Sequence, residues 1–216
     1  MKTQRHDWLI PAGLIVLSIV PAIGGGVRLA SLGAEATADN VRFLAAPISI
    51  TVHIVSVVLY SFLGALQFSP GFRKRNRWWH RVAGRVLLPA ATMAALTGLW
   101  MTLTYPWPAN DGVVVYAERL VVGTMMLWSI VMGVNALRRR QYAEHGEWMI
   151  RAYAVGLGAG TQVLTHLPWF IFVDLKPGVT PRAIMMGLGW LINIVVAEWV
   201  IRRPKLARRV SPVLAT

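Results

Sequence analysis

Six stretches of this chain are each about as long as a lipid bilayer is thick and almost free of charge. They run from Trp8 to Leu32, Ile48 to Phe68, Val82 to Tyr105, Val113 to Leu137, Met149 to Phe172 and Ala183 to Ile201. A helix needs roughly 20 mostly apolar residues to cross the hydrocarbon core. There, backbone N–H and C=O groups must be paired within the helix itself. Turn signals separate the blocks: Ser69-Pro70-Gly71, Pro106-Trp107-Pro108, Asn110-Asp111-Gly112 and Lys176-Pro177-Gly178. Little else remains in 216 residues. The expectation is an all-α fold: a polytopic membrane helical bundle of about six transmembrane helices, forming one integral membrane domain over residues 1–216. Pro11, Pro21 and Gly24-Gly25-Gly26 interrupt the first block, which is too long for a signal peptide and reads as a kinked span.

Charge sets the expected orientation. Only 14% of residues are charged, against about 25% in a soluble domain. The first tail carries Lys2 and Arg5, and the second-to-third connection Arg73, Lys74, Arg75, Arg77, Arg81 and Arg85. Arg138, Arg139, Arg140 and Arg151 flank the fourth-to-fifth connection, and Arg202, Arg203, Lys205, Arg208 and Arg209 follow the sixth block. These are seventeen of the 22 lysines and arginines, and basic residues collect on the cytoplasmic side. Both termini are therefore expected inside, in a multi-pass protein of the cell inner (plasma) membrane. The same placement explains the net charge of +13 without nucleic acid as a partner. Trp8, Trp78, Trp79, Trp107, Trp148, Trp169 and Trp199 fall near block ends, where an interfacial belt holds them. Trp100, Trp128 and Trp190 lie deeper, as packing residues or cofactor neighbours.

Ionisable groups within spans are costly and usually face the bundle interior. His53, Glu118, Arg119 and His166 each fall five or six residues from the outer end of a block, roughly 8–10 Å deep at the helical rise. A second group marks the cytoplasmic edge: His80, Arg81, Arg85, His145, Glu147, Arg151 and Glu198. His145 and His166 are 21 residues apart, roughly 30 Å along a helix, so one ion cannot bind both. Depth pairs His53 with His166 outside and His80 with His145 inside. His6, in the first tail, is assigned no role. Helical spacing puts Tyr60, Gly64 and Gln67 on the stripe of His53, and Gln162, Gly158, Val155 and Arg151 on that of His166. Gly84 stands one turn from His80. Such glycines leave room for a flat ring or for another helix. Glu118 beside Arg119 also reads as an intramembrane ion pair.

Neutral imidazole is the commonest metal ligand in proteins, and two histidines on facing helices can clamp a haem iron. The leading expectation is a transmembrane electron-transfer protein binding b-type haem by bis-histidine ligation: one haem on His53 and His166, and a second on His80 and His145. Arg81, Arg85 and Arg151 would pair with propionates. Quinone and a redox partner protein are the expected partners besides the lipid bilayer, and an oxidoreductase subunit is the enzyme class this allows. The chain has no cysteine, which excludes disulfides, thiolate sites and covalent c-type haem. An alternative uses His53, His166, His80, His145 and Glu118 for a copper, zinc or iron ion, as in a metallochaperone or assembly factor. A proton-coupled transporter is the third reading. No phosphate loop, GxSxG elbow or HExxH motif is present.

The stretch from His53 to Arg85 reads H…GALQF…R…HRVAGR, and Glu144 to Arg151 reads EHGEWMIR. This arrangement resembles an uncharacterised bacterial family of predicted multi-span membrane proteins, a domain of unknown function. The resemblance covers about the second to fifth blocks. It implies that His53, Gln67, His80, Arg81, Gly84, Arg85, His145, Trp148, Met149 and Arg151 match the family pattern. The four-histidine plan is also similar to that of transmembrane di-haem b-type cytochromes, although their paired ligands on one helix lie about four turns apart inside the bilayer.

Overall fold

The computed structural model describes residues 8–37, 40–173 and 176–210, the last seven by backbone alone. Lys2, Arg5, His6, Lys205, Arg208 and Arg209, used above, lie outside the described residues or have undescribed side chains. Among the described residues the chain forms nine α-helices. They are α1 Leu9–Ala30, α2 Val41–Leu44, α3 Pro47–Leu66, α4 Pro70–Arg75, α5 Arg77–Thr104, α6 Val113–Arg138, α7 Tyr142–Gly156, α8 Gly158–Phe172 and α9 Val179–Val210. Five of these, α1, α3, α5, α6 and α9, are long and apolar enough to cross a membrane.

The fifth predicted block is not one helix. It is divided between α7 and α8, each 15 residues long, with a break at Leu157 between Gly156 and Gly158. Glycine costs a helix about 1 kcal/mol relative to alanine, and three glycines within five residues weaken it locally. Pro21 in α1 and Pro89 in α5 sit inside their helices without ending them. Helix α5 starts five residues earlier than expected, so His80 falls in its first turn rather than before it.

The connections gather at two ends. At one end, Trp8 meets Phe72 with ring centroids 5.5 Å apart, and Arg151 reaches Glu198. At the other, Phe43 meets Tyr105 at 5.8 Å, and Asp111 pairs with Arg182. These are called the His80 end and the Asp111 end below.

The core is built on small residues. Ala83, Leu87, Ala90, Ala91 and Ala95 are buried along α5 at helical spacing, which lets neighbouring backbones approach. Tyr60, Met126, Ile130, Ala152 and Tyr153 complete the cluster. Tyr153 donates its hydroxyl to the Ser61 carbonyl at 2.7 Å, so the phenol is not orphaned in an apolar core. The opposite faces are apolar and exposed: Val20, Val121 and Val195 are each more than half exposed. In water such faces would be a liability; in a multi-span membrane protein they meet lipid. Trp100 and Trp128 are on this outer surface, not in the packing.

Candidate functional site

A cavity of about 340 Å³ lies among α3, α5 and α6, with α8 and α9 reaching its wall. Its polar part, at the Asp111 end, includes Arg42, Tyr105, Trp107, Asp111 and Arg119. Farther in, its walls are Ile50, Val57, Leu99, Val122 and Met126, with His53, Tyr60 and Trp190. Such a space is at the small end of ligand pockets, which run about 300–1,000 Å³.

His53 is the histidine on this chamber. Its Nδ1 is 3.0 Å from the Ala94 carbonyl and 3.1 Å from Thr97 Oγ1. A carbonyl only accepts, so Nδ1 carries the proton and Nε2 keeps its lone pair. Gly98 stands directly beside the ring: a Cβ there would be 3.3 Å from His53 Cε1.

The other three histidines repeat the pattern. His145 donates from Nδ1 to the Gly133 carbonyl at 2.9 Å, bridging α7 to α6. His166 donates to the carbonyl of Gln162, one turn back in α8, at 2.7 Å, and its ring stacks with Phe170. His80 Nδ1 bonds Gln67 Oε1, across from α5 to the end of α3. Among the described residues none of the four Nε2 atoms has a hydrogen-bond partner. A ligating histidine is usually oriented this way, by an oxygen on its other nitrogen.

The two expected pairs differ. His145 is among the groups that act electrostatically on His80. His53 packs toward α5, whereas His166 is held against its own helix. Gln162, one turn from His166, lines the chamber, and His166 does not. Among the described residues no three histidine, aspartate or glutamate side chains group to hold a metal ion.

The charged residues are arranged otherwise than the sequence suggests. Glu118 and Arg119, successive on α6, point about 100° apart. Arg119 Nη1 reaches Asp111 at 2.7 Å. Glu118 turns to α9, where its carboxylate fills the space left by Gly187 and Oε2 has no hydrogen-bond partner. Asp111 is 3% exposed and also takes Arg182 Nε at 2.5 Å. Arg42, on α2 outside the spans, is held below the usual arginine range by burial; Asp111 opposes that, and Arg119, Arg28 and Arg182 add to it. Arg119 and Arg182 thus share one carboxylate, which also acts on Arg42. Asp111 reads in sequence only as a turn residue. The available signal was that four of the five basic residues outside the cytoplasmic set belong to this cluster.

At the His80 end, Arg81 and Arg85 are exposed. Arg151, expected to hold a propionate, holds the Glu198 carboxylate through two contacts of 2.5 and 3.3 Å and covers the Trp148 ring. Gln67 Nε2 and Trp79 Nε1 are buried there without partners. Space is open beside Gly84, one turn from His80.

No curated protein and no solved structure matches the chain. A family model described as a predicted membrane protein, DUF2306, matches residues 50–201. That span begins in α3, ends in α9 and contains His53, His80, His145 and His166. The chain therefore belongs to the DUF2306 family of predicted membrane proteins.

Proposed function

We propose that this protein carries electrons across the inner membrane on b-type haem ligated by histidine Nε2 atoms. One observation carries the reading: all four candidate histidines have Nδ1 committed to an oxygen and, among the described residues, no partner at Nε2. That is the tautomer and orientation an axial ligand needs. Both ends supply parts of a haem site, with His166 standing apart from the chamber that His53 lines. At the His80 end, His145 acts electrostatically on His80, and space is open beside Gly84. At the Asp111 end, His53 faces an apolar chamber whose polar part holds Arg42 and Arg119, suited to a flat apolar ring bearing two carboxylates. Bound haem would supply one-electron chemistry. The chain's own part is to present the imidazoles, exclude water with the alanine and aromatic walls, and neutralise carboxylates with arginine. In this reading α7 and α8 cross as one broken span. That makes six crossings with both termini inside, a quinol as donor at the His80 end and a partner protein as acceptor at the other.

The test is haem stoichiometry after haem-replete expression, in wild type and in His53→Ala, His166→Ala, His80→Ala and His145→Ala. Two haems in wild type and one in His53→Ala, His80→Ala and His145→Ala are expected; His166→Ala, outside the chamber, should keep both. No haem in any of the five preparations overturns the reading.

A second reading rests on Glu118. A carboxyl oxygen without a partner inside a span is a proton-carrier candidate. Proton flux in proteoliposomes that is lost in Glu118→Gln would favour it; flux unchanged by that substitution would remove it.

A further inference from the structure

Helix α5 begins at Arg77 and carries an arginine at every fourth position of its first turns: Arg77, Arg81 and Arg85. Four residues advance an α-helix by one turn and about 40°. The three side chains therefore leave one side of α5, within about 80° of one another. All three are exposed. Trp78 starts from the same side and is 69% exposed. Arg85 lies about 12 Å along the axis from Arg77, within a helix long and apolar enough to cross a membrane. Pro89, Leu96 and Leu103, about one, three and five turns beyond Arg85, continue this side and are exposed as well. The arginine stripe thus runs into a surface that meets lipid. A guanidinium left in hydrocarbon is costly, but its stem can lift the charge toward the headgroups. There the group that matches its paired N–H donors is a phosphate. A zwitterionic headgroup brings its own cation beside that phosphate, whereas an anionic one leaves its charge to the three arginines. A tryptophan ring suits the headgroup level on the same side.

We propose that the side of α5 bearing Arg77, Arg81 and Arg85 is a binding site for one anionic glycerophospholipid of the bilayer. Its phosphate sits on Arg81 and Arg85, its glycerol against Trp78, and its acyl chains along Pro89, Leu96 and Leu103. The site gives Arg81 and Arg85 to a lipid rather than to haem propionates, and it stands whether or not the chain carries haem.

The test is native mass spectrometry of the full chain in detergent, titrated with phosphatidylglycerol and with phosphatidylcholine of identical acyl chains. The first phosphatidylglycerol should bind about tenfold more tightly than the first phosphatidylcholine. Arg81→Gln combined with Arg85→Gln should remove that preference and leave phosphatidylcholine binding as it was. Arg139→Gln combined with Arg140→Gln, an equal loss of exposed charge between α6 and α7, should keep it. Arg85→Lys, which keeps the charge but not the paired donors, should cut the preference at least twofold and serves if the double variant on α5 does not fold. Equal binding of the two lipids by wild type overturns the proposal, as does a preference that survives the α5 substitutions. A preference removed equally by the pair at 139 and 140 also overturns it, because diffuse charge would then suffice. Haem measured in the same preparations separates the two readings. Wild type without haem but with the lipid preference keeps this site while the electron-transfer reading falls; haem bound without the preference does the reverse.

Discussion

His53 gives its Nδ1 proton to the main-chain carbonyl of Ala94, 3.0 Å away on the neighbouring helix. The acceptor is backbone in a span, so substitution of Ala94 cannot easily remove it. The imidazole is therefore oriented by the fold. Gly98, one turn on from Ala94, stands beside the ring at Cε1. Gly98→Leu should push the ring from its place and halve haem content, whereas Gly98→Ala, 3.3 Å from Cε1, should leave at least three-quarters of it. Haem per protein, measured by alkaline pyridine absorbance, reads both.

Asp111 should be the most sensitive charged residue for stability. Its side chain is 3% exposed and pairs with two arginines at once. Asp111→Asn leaves Arg119 and Arg182 partly buried without their counter-charge. Breaking a buried pair costs about 3–5 kcal/mol; with the arginines about 30% exposed, solvent screening lowers this to about 2 kcal/mol. Thermal unfolding in detergent should show a clear fall in midpoint. Glu118→Gln, at a carboxylate with no salt bridge among the described residues, should shift it far less.

Tyr153 ties the core together through one hydroxyl. Its bond to the Ser61 carbonyl is buried, and Tyr153→Phe should cost about 1 kcal/mol. Gly64→Ala should cost more, about 1–3 kcal/mol as an overpacked core does, because a Cβ at Gly64 would sit 2.5 Å from the Tyr153 ring. Thermal midpoints of the two variants check the order.

The chain's lack of cysteine makes its topology directly testable. Single cysteines at Lys74 and Arg140 should be blocked only by thiol reagents that cross the membrane. Cysteines at Trp107 and Lys176 should react with an impermeant maleimide on intact cells. The reverse pattern would invert the proposed orientation. Labelling of positions 140 and 176 from the same side would exclude α7 and α8 as a crossing.

The sequence made the helices legible where one physical signal dominated. An apolar run from Val113 to Leu137 became α6, Val113–Arg138, and a run from Ile48 to Phe68 became α3, Pro47–Leu66, because hydrocarbon length fixes both. The break at Leu157 was less visible: Gly156, Gly158 and Gly160 read as a smooth face for packing, and glycine serves either role. The histidines were singled out by depth, yet depth does not set azimuth. Depth groups His53 with His166, but His166 is turned to its own helix. Asp111 and its arginines were missed because loops 40, 110 and 180 meet only in three dimensions. A hydropathy plot ranks an aspartate between Asn110 and Gly112 as a turn.

The most direct measurement of the central claim is the reduced-minus-oxidised absorption spectrum of purified wild type and of His53→Gly with and without added imidazole. The account predicts a low-spin b-type spectrum in wild type, loss of part of it in His53→Gly, and its return when imidazole fills the vacated place. A flat difference spectrum in wild type after haem-replete expression, or one that His53→Gly leaves unchanged, would contradict it.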